Sequence, residues 1–329
     1  MAKLGIPFLA SRLERELKSG MDDVESLIRR QIEGKYPLVI ETSRHLVEAG
    51  GKRVRPILTL LAAQFGDPNA KGIIEAAAVC ELTHLATLYH DDVMDEATLR
   101  RGVPSANSRW DNTVAILTGD YLFAKVSDLL ADLGPDAVRI HAHTFERLVI
   151  GQIMETQGAM SAADPIKHYL DVIADKTGSL MATAAQYGAM FAGAKEKHVE
   201  ALKEFGEAIG LLFQIADDVI DIGSDSNESG KVPGTDLREG VPTMVTLHIL
   251  LSKDPADATL KERLSAPITD EKLVQETIHE LRGHWALVKT QEQLVQLAET
   301  AVEKIAPLPA GEAKDALISL SKAVISRTS

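Results

Sequence analysis

Two aspartate clusters of one form, Asp91-Asp92-Val93-Met94-Asp95 and Asp217-Asp218-Val219-Ile220-Asp221, stand far apart in the chain. With about 3.6 residues per helical turn, Asp91 and Asp95 lie one turn apart on one face, as do Asp217 and Asp221, so each cluster presents two convergent carboxylates. Paired carboxylates suit magnesium, which takes hard oxygen ligands and commonly completes its octahedron with substrate phosphates and water. Two such faces opposed across a cavity would clamp a diphosphate. Acidic runs on helices are ordinarily solvated. Here the first cluster ends the apolar run from Ala76 to Tyr89 and the second follows Ile209 to Ala216, so both sit on core helices where unpaired charge is costly.

A clamp of aspartates and magnesium needs cations on its other side. Gly50-Gly51-Lys52-Arg53-Val54-Arg55-Pro56 precedes a helical run. Its glycines let backbone amides approach an anion, while Lys52 and Arg55 add charge at a helix amino end, where the dipole favours phosphate. Arg100 and Arg101 follow the first cluster within two turns, and guanidinium groups grip phosphate oxygens as a fork. His84, seven residues before Asp91, shares its helix face.

The elements that must position these groups are helices. Apolar residues recur at spacings of three and four through Ile57–Phe65, Ile73–Val93, Val114–Leu133, Val138–Gln157, Ile166–Phe191, Val199–Ile222 and Val274–Ile305, whereas alternating strand patterns are not evident. An all-α protein is expected. Breaks are expected at Gly66-Asp67-Pro68-Asn69, Gly102-Val103-Pro104, Gly134-Pro135 and Asp164-Pro165. The longest polar break, Gly223 to Pro242, follows the second cluster directly and reads as a mobile lid.

At 329 residues the chain is long for one domain, but no linker-like composition divides it, and a single helical domain over 1–329 is expected. The formal net charge of -13 argues against a nucleic-acid partner, so any anion must be met locally. Cys80 is the single cysteine and lies in an apolar helix, which fits a reducing compartment and a core role. No run approaches 18 apolar residues and the amino terminus lacks a signal-peptide core, so a cytoplasmic protein is expected.

The runs GGKRVRP, LTHLATLYHDDVMDEATLRRG, LTGDYLFAKV, KTGSL, and FQIADDVIDI followed by GKVPGTDLREG resemble, in order and over nearly the whole chain, the motif series of the trans-prenyl diphosphate synthases. The resemblance implies a homodimeric α-helical bundle around a central cavity that joins isopentenyl diphosphate head-to-tail to an allylic diphosphate, with magnesium at both aspartate clusters. It implies that Lys52, Arg55, His84 and Arg101 bind isopentenyl diphosphate, and that Arg100, Lys176, Thr177, Gln214 and Lys231 face the allylic substrate. Asp91, Asp95 and Asp217 would be the principal magnesium ligands, supported by Asp92, Asp218 and Asp221. Stabilising the departing diphosphate is then the main catalytic task, shared by the metal, Lys176, Lys231 and Arg100, with no protein nucleophile. Lid closure over residues 223 to 242 would exclude water from the carbocation. One departure is Val241, where many family members carry lysine.

Product length is also addressed by spacing. Stepping down the helix from Asp91 meets Thr87, Thr83 and Cys80, with Ala86 alongside, so no aromatic blocks about 16 Å of this wall. Within the resembling family a bulky residue at Ala86 or Thr87 marks short-chain enzymes, so a long product of the quinone side-chain kind is expected. Its release would involve transient membrane contact. Tyr89 points to another face and is expected in the core, and Ile150, Ile153 and Met154 are candidates for the tunnel floor. Three alternatives stay open: a short-chain synthase, a non-catalytic subunit of a two-component synthase, and a terpene cyclase. The cyclase has no need of a second, isopentenyl-binding set such as Lys52, Arg55 and Arg101.

Overall fold

A helix apolar on every side can only be stable when it is surrounded, and the segment carrying the first aspartate cluster is of that kind. In the computed structural model, which describes residues 11–34, 36–223 and 233–326, Ala76, Ala77, Ala78, Val79, Cys80, Leu82, Leu85 and Ala86 are all fully buried. In chain order the helices are α1 (Ser11–Gln31), α2 (Pro37–Glu48), α3 (Val54–Ala63), α4 (Ile73–Met94), α5 (Ala106–Arg109) and α6 (Asn112–Leu133). There follow α7 (Pro135–Gln157), α8 (Pro165–Ile173), α9 (Ser179–Phe191), α10 (Glu196–Gly223), α11 (Thr235–Glu239) and α12 (Met244–Leu250). The last are α13 (Ala258–Leu264), α14 (Glu271–Arg282), α15 (Trp285–Lys304) and α16 (Glu312–Ile325). The all-α expectation holds among the described residues, apart from one pair of two-residue strands.

The chain forms two compact units. The first comprises Met1–Phe145, Leu180–Gly206 and Ile305–Leu317. Within it α4 is packed by α1, α3 and, most closely, α6. That closeness depends on Gly119, where a Cβ would collide with the His90 ring. Likewise α9 reaches α3 at Gly188, where a Cβ would collide with the Thr59 carbonyl. Tyr89 is fully buried, as expected, and its hydroxyl donates to the Thr42 carbonyl at 2.5 Å while accepting from the Leu46 amide at 3.2 Å. This ties α4 to α2.

The second unit comprises Glu146–Ser179, Glu207–Lys304 and Ile318–Ser329. Here α12 packs on α8, α13 and α15, and its start is closed by a capping box between Thr243 and Thr246. Asp164 caps α8, accepting from the Lys167 amide at 3.0 Å with Pro165 in the first turn, as the Asp-Pro signal implies.

Four expectations need correction. The helix read over Ile166–Phe191 is interrupted by a π-helical turn at Ala174–Gly178, which inserts a residue into the register and carries Lys176 and Thr177. The helix read over Val274–Ile305 breaks at Gly283-His284, where the His284 Nδ1 accepts the Ala286 amide at 3.3 Å and restarts the helix as α15. The turn at Gly102 closes a hairpin in which Leu99 pairs with Pro104 and Arg100 with Val103; two-residue strands are too short to show alternation. The break from Gly223 to Pro242 is not wholly irregular, since α11 lies inside it between the left-handed Gly234 and Gly240. Lys231 lies outside the described residues. Among the described residues no helix is long and apolar enough to cross a membrane.

Replacing Tyr89 with Phe removes the α2–α4 tie at no cost in volume and is expected to lower stability by about 1–2 kcal/mol. Denaturant melts of the two proteins check it.

Candidate active site

In the first unit the basic residues converge through unusual backbone. Gly50 (φ 88°) and Gly51 (φ 137°) lead into Arg53, which is itself left-handed at φ 49°, before α3 begins at Val54. Arg101, at the tip of the hairpin, is also left-handed at φ 55° and is followed by the left-handed Gly102. A side-chain residue in that region costs about 1–3 kcal/mol and persists where its surroundings demand it. The demand is visible: the Arg101 guanidinium donates to the Leu46 carbonyl at 2.8 Å and to the Gly50 carbonyl. Gly51 must be glycine, because a Cβ there would lie 2.9 Å from the guanidinium carbon of Arg101.

These cations are desolvated. The Arg55 Nε is buried with no hydrogen-bond partner, an arrangement that calls for an anion. Burial lowers both Arg55 and Arg101 below the ordinary arginine value, partly offset by the Glu81 carboxylate. His84 is held well below the usual histidine range by burial first and then by Arg55, Arg101, Arg53 and Arg100, so its imidazole is neutral at pH 7. It can donate one hydrogen bond and accept another. Lys52 is exposed.

The three aspartates of the first cluster differ in setting. Asp91 is half-buried and Asp95, the carboxyl cap of α4, is exposed, while Asp92 is fully buried. One oxygen of Asp92 accepts from the Arg100 Nε at 2.6 Å, and the other is buried without a partner. Arg100, expected to face a substrate, is thus bonded to Asp92, with Asp95 at 4.0 Å. Burial raises the Asp92 carboxyl despite that arginine.

In the second unit Asp218 is the buried member, and Asp217 and Asp221 are half-buried. Asp218 accepts from the Tyr169 hydroxyl at 2.5 Å and from the Gln214 amide at 3.2 Å, and Gln214 in turn accepts from Thr177 at 3.3 Å. Burial, together with Asp217 and Asp221, pushes the Asp218 carboxyl upward against the pull of those two hydrogen bonds. Asp221 accepts the Asp236 amide at 3.2 Å, tying the end of α10 to α11.

The π turn is held by one face of α7. Arg147, Gly151 and Glu155 follow at one-turn spacing: Arg147 donates to Asp175 at 2.6 Å and to Glu207 at 2.5 Å, and Glu155 pairs with the Lys176 ammonium. Gly151 admits the turn, since a Cβ there would lie 2.6 Å from the Lys176 amide nitrogen.

Among the described residues no three histidine, cysteine, aspartate or glutamate side chains converge as a full metal cage. Each cluster instead supplies accessible carboxylates one turn apart beside a buried, charge-burdened aspartate. That donor set fits a hard divalent ion whose remaining oxygens come from phosphate and water.

Of the four small residues on the α4 wall, Cys80, Thr83 and Ala86 are fully buried and Thr87 is half-exposed. Thr83 is hydrogen-bonded to the His141 ring of α7 at 2.8 Å, and Phe145 stacks on that ring. Ala86 lies in the α4–α6 seam, its carbonyl close to Gly119. Ile150 and Ile153, expected at a tunnel floor, are 44% and 54% exposed, and Met154 with them is half-buried. Sequence reasoning missed Arg53, Glu81, Tyr169, Glu155 and His141. Glu81 left a usable trace, as a lone acid inside an apolar run.

The polyprenyl synthetase family model matches residues 36–281. The nonaprenyl diphosphate synthase of Mycobacterium tuberculosis is 46% identical over 94% of this chain and 93% of its own length. Component 2 of the heptaprenyl diphosphate synthase of Bacillus subtilis is 34% identical over 93% and 87%. The crystal structure of a geranylgeranyl pyrophosphate synthase from Corynebacterium glutamicum, complexed with calcium and isoprenyl diphosphate, superposes with a TM-score of 0.88 at 42% identity, covering 98% of this chain and 99% of that one.

Gly151→Ala is expected to force the π turn off α7 and loosen it by about 1–3 kcal/mol, as overpacking does. Hydrogen exchange at residues 174–178 should quicken while that of α4 stays unchanged.

Proposed function

The chain belongs to the polyprenyl synthetase family, and on that premise we propose that it is an all-trans polyprenyl diphosphate synthase making a long-chain product. The observation that carries this reading is the basic group of Arg55, Arg101 and neutral His84, whose charge is opposed by burial and whose residues are distinct from the carboxylate pairs. A cyclase that only ionises one diphosphate has no use for such a second anion site; an enzyme that condenses two diphosphates requires it.

Arg55 and Arg101, with Lys52 and His84, hold the diphosphate of isopentenyl diphosphate. Asp91, Asp95, Asp217 and Asp221 hold magnesium, which when bound supplies Lewis-acid stabilisation to the departing allylic diphosphate. Asp92 and Asp218 are the buried supports of those pairs, fixed by Arg100 and by Tyr169 with Gln214. Lys176 exchanges its Glu155 partner for leaving-group oxygens, Lys231 adds charge to the same group, and Thr177 and Gln214 orient it. The allylic C1–O bond breaks with its electron pair on oxygen. The double bond of isopentenyl diphosphate then forms the new carbon–carbon bond, and the proton lost from its C2 goes to the released diphosphate. No side-chain nucleophile takes part.

A homodimer is supported by apolar side chains exposed on α6 (Ile116, Leu117) and on α7 (Val149, Ile150, Ile153). The long product is supported by the small α4 wall. Thr87 is the better gate to test, because Ala86 is enclosed in the seam with α6, where a larger side chain would move the helix.

Incubating the purified chain with isopentenyl diphosphate, farnesyl diphosphate and magnesium should give a ladder of products ending well beyond twenty carbons. No product from the chain alone would contradict a self-sufficient synthase and point to a two-component enzyme. Thr87→Phe should shorten the ladder while consumption of the first isopentenyl unit continues; an unchanged length would exclude this wall as tunnel lining.

A further inference from the structure

Arg53 stands between two residues assigned to the anion site, yet its side chain turns away from it. It is 7% exposed, and its guanidinium donates to Glu25 at 2.6 Å, Glu81 at 2.8 Å, the Val47 carbonyl at 2.9 Å and the Gly50 carbonyl at 3.2 Å. Glu25 is on α1 and Glu81 on α4, so one side chain bolts the loop before α3 to two helices. Glu81 is 1% exposed, a carboxylate sealed beneath a group of arginines. Its hydrogen bond goes to Arg53, while Arg55 and Arg101 feel it through space.

We propose that Arg53 is a positioning residue for isopentenyl diphosphate: by occupying the Glu81 carboxylate it keeps Arg55 and Arg101 available to the substrate's diphosphate. Without it, a buried carboxylate would stand among two other guanidinium groups and take one as its partner, because an unpaired buried charge is costly and the nearest donors would satisfy it. The anion site would lose charge to its own protein. The Gly50 carbonyl fits the same scheme, since it accepts from both Arg53 and Arg101 and fixes the spacing between them. Burial alone would lower Arg53, but Glu81 and Glu25 more than reverse it, so the counter-charge is spent on this arginine.

This inference rests on the isopentenyl role given to Arg55 and Arg101. Steady-state kinetics with both substrates varied separates it from a purely structural part. Arg53→Gln should raise KM for isopentenyl diphosphate by about tenfold or more, the loss of roughly one charge-assisted contact. KM for the allylic substrate should stay within about twofold, the scatter allowed for sites without shared partners. Adding Glu81→Gln should restore most of the isopentenyl KM, because no carboxylate is left to capture Arg55 or Arg101. If Arg53→Gln does not fold, Arg53→Lys carries the test, since lysine keeps the charge but cannot serve both glutamates and both carbonyls. Equal rises in both KM values, or no recovery in the double variant, would overturn the proposal. Should the unmodified chain form no product, the wider functional reading fails, and binding of inorganic pyrophosphate by calorimetry still decides this one. Weaker binding in Arg53→Gln, recovered with Glu81→Gln, is expected; equal binding in all three proteins would refute it.

Discussion

Burying a carboxylate without a partner costs several kcal/mol, and this chain buries Glu81, Asp92 and Asp218 on the packed stretches of α4 and α10. Each is compensated in its own way: Glu81 by Arg53, Asp92 by Arg100, and Asp218 by Tyr169 and Gln214. These compensated acids are the foundations of the site. Within the first unit Asp91 and Asp95 flank Asp92, and within the second Asp217 and Asp221 flank Asp218, each pair one helical turn apart. In each cluster, therefore, a buried inner aspartate is accompanied by more exposed outer ones.

Backbone conformation follows from the same constraint. Arg53 and Arg101 adopt left-handed backbone where their guanidinium groups reach carbonyls of the last turn of α2. The π turn that carries Lys176 is held by Arg147 and Glu155 and admitted by Gly151, so an irregular segment is positioned by a regular one. Strain here is local, and in the first unit it sits beside helices packed closely at Gly119 and Gly188.

Much of this was legible from residue order. The aspartate spacing, the apolar runs beneath it and the basic segments were readable because helical periodicity turns sequence distance directly into a shared face. What escaped were contacts between residues distant in sequence and unremarkable in type. Tyr169 looks like any aromatic of a short helix until it meets Asp218, and Glu155 like any surface acid until it meets Lys176. The π turn was invisible because it keeps helical periodicity on both sides and changes the register by one residue. The exposure of Ile150 and Ile153 was not legible, because an apolar stripe reads the same whether it is covered or open to solvent. How closely Gly119 brings α6 to α4 beside Ala86 was likewise not legible, since the two residues are distant in sequence.

The central claim is that neither aspartate pair is a complete metal site, and that the substrate's diphosphate completes it. Thermal unfolding with magnesium, inorganic pyrophosphate, or both tests this directly, because a ligand that binds only the folded state raises its stability in proportion to its occupancy. The account predicts little shift with either component alone and a shift of several degrees with the two together. A full shift with magnesium alone would mean that the carboxylates form a cage without phosphate, and would contradict it.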